Sequence, residues 1–237
     1  MRAAFIRAAA GCGLVLIAAL GATAGSAAPA ETPANVSLGL PSDVPLRLVN
    51  FSFDNSRPGM LAFHYDVKNF SGQGLVAVEI SWQAQFGEKA PTSISNLDDR
   101  WLTGQLAAGG AEHFQVSNVP NPGSAPLARL VASVSYAEFE DGSRLGANAA
   151  ERGKSVDAGR RATLASYLKF LDTFNKSGSE AMAQAIRVGS VTSATRQLPA
   201  VQEANARLLG ILTEQGVDAV VLELQRVSTL PLPEPRA

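Results

Sequence analysis

The chain is short of the residues that staple, ligate or attack. Its only cysteine, Cys12, lies in the first 30 residues, so the rest can form no disulfide and offers no thiolate. Two histidines, His64 and His113, are all the imidazole available for metal binding or proton transfer. The sequence holds no G-x-S-x-G elbow, no glycine-rich phosphate loop after a strand and no EF-hand spacing. Positive charge is not in excess: formal net charge is −1. Without a concentrated basic patch to neutralise phosphates, nucleic acid is not an expected partner.

What the chain does have begins at its N-terminus. Arg2 and Arg7 precede the apolar run Leu14-Val15-Leu16-Ile17-Ala18-Ala19-Leu20, and small-residue sites follow at Ala22-Thr23-Ala24 and Ala28-Pro29-Ala30. That order reads as a secretory signal peptide over 1–30, cut after Ala30 to leave Glu31. The strongly apolar part is about seven residues, against about 20 for a membrane span. Cys12 precedes the apolar run, whereas a lipidated cysteine should follow it. The expectation is a periplasmic or secreted bacterial protein with no membrane span after cleavage. Residues 31–45, rich in Pro, Ala and Ser, read as a flexible leader.

From Leu46 the apolar residues recur with period two. Leu48, Val49, Phe51 and Phe53 precede a turn at Asn55-Ser56-Arg57-Pro58-Gly59. Leu61, Phe63, Tyr65 and Val67 then alternate with Ala62, His64, Asp66 and Lys68. A longer alternation follows, with Val76, Val78, Ile80, Trp82, Ala84 and Phe86 facing a core and Leu75, Ala77, Glu79, Ser81, Gln83 and Gln85 facing water. Residues 88–110 read as loop, with a short strand around Trp101-Leu102. Glu112 to Ser117 and Leu127 to Phe139 read as strands, the latter with Leu130, Ala132, Val134 and Tyr136 in phase. Asp141-Gly142 predicts a hairpin into Arg144-Leu145. Short strands at this spacing predict an antiparallel sandwich over 46–148.

The run Tyr65-x-Val67-x-Asn69-x-Ser71, then Val78-x-Ile80 and Phe86-Gly87, resembles the immunoglobulin-like extracytoplasmic domains of many uncharacterised bacterial proteins. The Phe139-x-Asp141-Gly142-Ser143 hairpin is similar to the closing hairpin of such domains. The resemblance covers about residues 46–146 and implies an immunoglobulin-like β-sandwich, with no active site attached to it.

Beyond Gly146 the period becomes helical, and 149–228 reads as an α-helical region of about three helices. Leu164, Leu168 and Leu171, widened by Tyr167, Phe170 and Phe174, mark a helix over about 157–176 that stops at Ser177-Gly178. A short helix from Ser179 to about Val188 follows. Pro199 opens another, with Val201, Ala204, Leu208, Ile211 and Leu212 on one side and Gly216 at its end. Val217 to Val227 fits a helix through Val217, Val220, Val221 and Leu224, or a strand through Val220, Leu222 and Leu224. Residues 229–237 form a Pro-rich tail.

Candidate chemistry is sparse. His64 and His113 occupy outward strand positions and could meet on adjacent strands to bind a metal, although exposed sheet histidines are more often solvated. Asp98, Asp99, Glu138, Glu140 and Asp141 could supply oxygen ligands to calcium, or simply face water. Ser143 belongs to turn chemistry. Trp101, beside Asp99 and Arg100, is either a ligand or glycan contact or a plug at the end of the sandwich. Asn50, Asn69 and Asn175 stand in glycosylation sequons. No catalytic, cofactor or metal residue is assigned. The sequence therefore reads as a non-enzymatic exported interaction or structural module of the cell envelope, whose partner is an unknown protein or envelope ligand. The alternative is an enzyme or small-ligand carrier with a site between the sandwich and the helices.

Overall fold

The structure, a computed structural model, describes residues 36–37, 44–54, 57, 59–121, 126–192 and 198–232. The expected signal peptide with Cys12, most of the leader and the tail beyond Leu232 lie outside the described residues. Among the described residues eight strands come first: β1 (Val36–Ser37), β2 (Leu46–Asp54), β3 (Met60–Asn69), β4 (Leu75–Phe86), β5 (Thr92–Asp99), β6 (Ala111–Pro120), β7 (Leu127–Phe139) and β8 (Arg144–Leu145). Three helices follow: α1 (Ala149–Thr192), α2 (Pro199–Glu214) and α3 (Val217–Ser228). Among the described residues no helix is long and apolar enough to cross a membrane.

The strands form two sheets, one ordered β2-β3-β6 and the other β1-β7-β4-β5 with β8 added to β7. All pairings are antiparallel except β1 with β7. Their inner faces share one core. Phe63 and Tyr65 of β3 meet Trp82 of β4 at ring-centroid distances of 4.7 and 4.9 Å, and Leu46, Val67, Ile80, Leu130 and Val134 close around them. Each such side chain contributes about 1.5–3 kcal/mol on burial, which makes this contact the main force holding the sheets together.

Register shifts decide which face a residue takes: one between Leu75 and Ala77 puts Leu75, expected to face water, in the inner core, while Val76, expected in the core, is only half-buried. In β2 the register against β3 shifts between Val49 and Ser52, where Asn50 adopts φ 54°. The extra residue moves the alternation on by one, so Leu46 and Leu48 before it and Phe51 and Phe53 after it all reach the same core. In β7 the register against β4 shifts at Ser135, because Glu79 pairs with Tyr136 while Ile80 pairs with Val134. Leu130, Ala132 and Val134 stay in the inner core and Ala137 and Phe139 rejoin it, but Tyr136 is turned to the opposite face. The expected phase of Tyr136 is therefore corrected.

Three further expectations change. Residues 92–99, read as loop, form edge strand β5. Its only large apolar residues, Ile94 and Leu97, are out of phase, so no alternation marks it; Trp101-Leu102 is a turn. The face of β4 expected to be wet is covered where it meets α1, and Ala77 and Glu79 are buried there. The first helix starts at Ala149, eight residues before the first apolar stripe suggests, because its first turns face the sheet with charged residues.

The break expected at Ser177-Gly178 is present as a sharp reversal inside α1, with Gly178 at φ 81° and ψ −179°. A straight helix would separate Phe170 and Gly189 by about 28 Å. A Cβ on Gly189 would instead lie 3.6 Å from the Phe170 ring, so the two arms fold back on one another. The second arm runs through Gly189 to Thr192 rather than ending near Val188. Tyr167, Phe170, Met182, Ile186, Leu208, Val220 and Leu224 build a second core between the arms of α1, α2 and α3. Leu168, expected on the apolar stripe, is exposed. Residues 217–228 are helix: Val220, Leu224 and Val227, spaced by four and three, are buried together.

Candidate functional site

The two cores meet at a seam where α1 crosses the outer face of the five-stranded sheet, and the seam is charged. The bulge at Ser135 turns Tyr136 and Glu138 toward α1, where Tyr136 joins Ala77 and Val156 in a small apolar cluster. Arg152, Val156 and Arg160 lie four residues apart on α1, so one helical face carries all three onto the sheet. Glu138 is 0% exposed and Arg160 1%, a burial that charged groups tolerate only when paired.

They are paired. Arg160 Nη1 lies 2.8 Å from Glu138 Oε2, while its Nε and Nη2 donate to Asp99 at the end of β5 over 2.7–3.1 Å. The other Glu138 oxygen accepts from Arg144 Nη2 at 3.0 Å, and the Tyr136 hydroxyl donates to Oε2 at 2.9 Å. Arg144 also reaches both oxygens of Asp157 on α1, at 2.6 and 3.2 Å. Alongside, Arg152 Nη2 meets Glu79 Oε1 at 2.6 Å, and Ser135 Oγ donates to Glu79 Oε2 at 2.8 Å. Three guanidinium groups thus face four carboxylates from β4, β5, β7 and α1.

The electrostatics follow from the packing. Burial, reinforced by the Glu138 carboxylate, pushes the Tyr136 phenol well above its ordinary value, so it stays protonated as a donor. Burial works against the charge on Arg144 and Arg160, but the hydrogen bonds that Arg144 donates to Asp157 and Glu138, and Arg160 to Asp99, outweigh it and raise both. Every charge in the seam is held by one of opposite sign, so the cluster joins layers. Gly153 assists: a Cβ there would overlap the Arg144 guanidinium.

At the end of the seam lies a cavity of about 150 Å³ lined by Asp99, Trp101, Arg160, Thr163, Glu203 and Arg207, among others. Trp101 packs into the helical core, with its indole N–H donating to the Pro231 carbonyl at 3.1 Å. It therefore plugs the helices rather than the end of the strand layers. Arg226 of α3 donates to the Leu102 carbonyl at 2.6 Å from the same turn. A larger open groove of about 630 Å³ runs between the arms of α1 and α2, past Ser166, Lys169, Phe170, Val188 and Asn205.

The acidic residues considered for calcium are dispersed among partners of their own. Asp98 lies 3.5 Å from Arg100, Asp99 and Glu138 hold Arg160, and Glu140 accepts from Gln105 at 2.9 Å. Asp141 accepts from the Ser143 amide at 2.9 Å, which is the turn chemistry expected of Ser143. The Asn69 side chain is wholly buried and ties its turn to the Gln73, Leu106 and Ala107 carbonyls. Asn50 donates to Asp66, and Asn175 is exposed on α1. His64 and His113 do come together on the outer face of the three-stranded sheet.

Sequence reasoning missed Arg144, Arg152, Asp157, Arg160, Glu79 and Tyr136. One signal was present: Arg152 and Arg160 fall in register with Val156 ahead of the apolar stripe, the pattern of a helix face directed at something charged.

No protein-family model matches the chain, and no curated protein matches it. Among solved structures, a structural-genomics target determined by X-ray crystallography aligns at TM-score 0.32 and 11% identity, covering 43% of this chain and 79% of that one. The crystal structure of the putative ApaA protein from Bordetella pertussis aligns at TM-score 0.31 and 13% identity, covering 43% of this chain and 87% of that one.

Proposed function

We propose that the chain is a non-enzymatic exported interaction or structural module of the bacterial cell envelope, in which an immunoglobulin-like sandwich carries a helical unit mounted on one of its faces. The single observation behind this reading is the seam. Buried guanidinium and carboxylate groups from four strands and α1 are engaged with one another, joining two separate apolar cores into one body.

The immunoglobulin-like reading is supported by connectivity. Taking β2, β3 and β6 as strands A, B and E, and β4, β5, β7 and β8 as C, C′, F and G, gives strand orders like those of that fold, with no counterpart of strand D among the described residues. Export rests on the Arg2 to Ala30 pattern. The carrier alternative draws on the cavity beside Trp101, but 150 Å³ is well below the roughly 300–1,000 Å³ of ordinary ligand pockets. It has room for a few heavy atoms.

Fractionation and cross-linking of the full chain in a bacterial host test the proposal. The expected result is a periplasmic or released product beginning at Glu31 that gives a specific adduct with an envelope component. A cytoplasmic product with Met1 intact, or an exported one that yields no adduct, overturns it.

A further inference from the structure

We propose that His64 and His113, oriented by Asp66, form a binding site for a divalent d-block cation of the zinc or copper type on the outer face of the β2-β3-β6 sheet.

The antiparallel register sets Asp66 opposite His113 and His64 opposite Gln115, so the two histidines are diagonal neighbours on one face. His64 Nδ1 and His113 Nε2 lie 3.3 Å apart. Two imidazole nitrogens bound to one tetrahedral ion at about 2.0–2.1 Å are separated by about 3.3 Å, so the free side chains already stand at the required span. The rings are inclined by only 17° with centroids 5.4 Å apart. At that centroid distance the facing nitrogens lie between the rings, and a small rotation directs both lone pairs at one ion.

The second feature is the support behind His113. Its Nδ1 is 2.8 Å from Asp66 Oδ1, and the other Asp66 oxygen accepts from Asn50 Nδ2 at 2.6 Å. A carboxylate on one ring nitrogen fixes the proton there and leaves Nε2 as a lone pair, the arrangement that orients metal-bound histidine. Without metal, His64 Nδ1–H donates to that lone pair. On binding, the ion takes the place of this proton, which is lost to solvent as the neutral His64 ring takes a proton at Nε2. The bulge at Asn50 serves the same site, because its positive φ places the amide against Asp66.

Both protein ligands are nitrogen, which selects zinc, copper or nickel over magnesium and calcium. The His113 side chain is 62% exposed, so water completes the coordination shell.

The test is titration of the untagged full chain with Zn²⁺, and separately with Mg²⁺, followed by calorimetry and by the imidazole resonances in nuclear magnetic resonance. The expected result is one equivalent of Zn²⁺ bound, with shifts confined to His64 and His113 and no response to Mg²⁺. His64→Ala and His113→Ala should each abolish the site. Asp66→Ala, which leaves both ligands in place, should weaken it about 10- to 100-fold. Lys68→Ala, on the same face, should leave it unchanged. Far-ultraviolet circular dichroism confirms that each variant is folded. Zinc binding that survives the double variant His64→Ala/His113→Ala overturns the proposal. So does the absence of saturable binding to wild type, in which case the pair shares only a proton.

Discussion

Replacing Glu138 with Gln keeps the shape of the side chain and removes its charge from the middle of the seam. The wild-type carboxylate receives Tyr136, Arg144 and Arg160, and it is 0% exposed. Breaking a buried ion pair by removing one partner costs about 3–5 kcal/mol, because the remaining charge is left without compensation. Here each guanidinium retains a second carboxylate, Asp157 for Arg144 and Asp99 for Arg160, which places Glu138→Gln near the lower end, at about 3 kcal/mol. For a chain of this size that corresponds to a fall of about 10 °C in Tm. Guanidinium denaturation followed by circular dichroism and tryptophan fluorescence measures it. The fluorescence is informative because the chain has two tryptophans, Trp82 between the sheets and Trp101 in the helical core. Adding Arg160→Leu to Glu138→Gln should cost less than the sum of the two single changes, since the second removes a cation that the first has left undercompensated. A loss below about 0.5 kcal/mol for Glu138→Gln, the size expected of an ordinary surface change, would refute the reasoning.

Three other substitutions separate the seam from its surroundings. Gly146, at φ 115°, joins β8 to α1, and a Cβ there would lie 2.5 Å from the Ser135 carbonyl oxygen; Gly146→Ala should cost at least about 2 kcal/mol in a denaturation curve. Gly109→Ala, also at positive φ but with open space around it, should cost only about 1 kcal/mol, and equal losses would remove the steric explanation. In the helical unit, burial raises the Glu223 carboxyl, but Arg226 and Arg207 outweigh it and hold its pKa below the ordinary value. A depressed carboxyl contributes stability above its unfolded pKa, about 4.3, and loses it as pH falls through the folded value. Glu223→Gln should therefore lower Tm at pH 7 and converge with wild type toward pH 3; a constant difference across that range would exclude the linkage.

Much of the strand layer was legible because its driving force is written locally. In β3 and β4 every second residue is apolar, and turn residues bound both. Residues 217–227 were open between helix and strand, because Val220 and Leu224 suit either; burial of Val227 with them at helical spacing decides for the helix. What escaped was non-local. A one-residue bulge at Ser135 reverses the face of Tyr136, and nothing in 127–139 announces where the extra residue sits. Edge strand β5 offers too few apolar side chains to register. The seam combines residues 79, 99, 138, 144, 152, 157 and 160, which carry no short motif and meet only because β4, β5 and β7 are neighbours beneath α1. His64 and His113 were readable as outward residues on separate strands, while the Asp66 and Asn50 contacts depend on register and on the Asn50 bulge.

Native-state hydrogen exchange of the α1 amides from Val156 to Thr163 tests most directly whether the helices are fastened to the strands. If the buried ion pairs join the two cores, these amides should open only with the free energy of global unfolding, together with those of β4 and β7. Exchange of that segment through a much cheaper local opening, while the strands stay protected, would show that the helices are not held there.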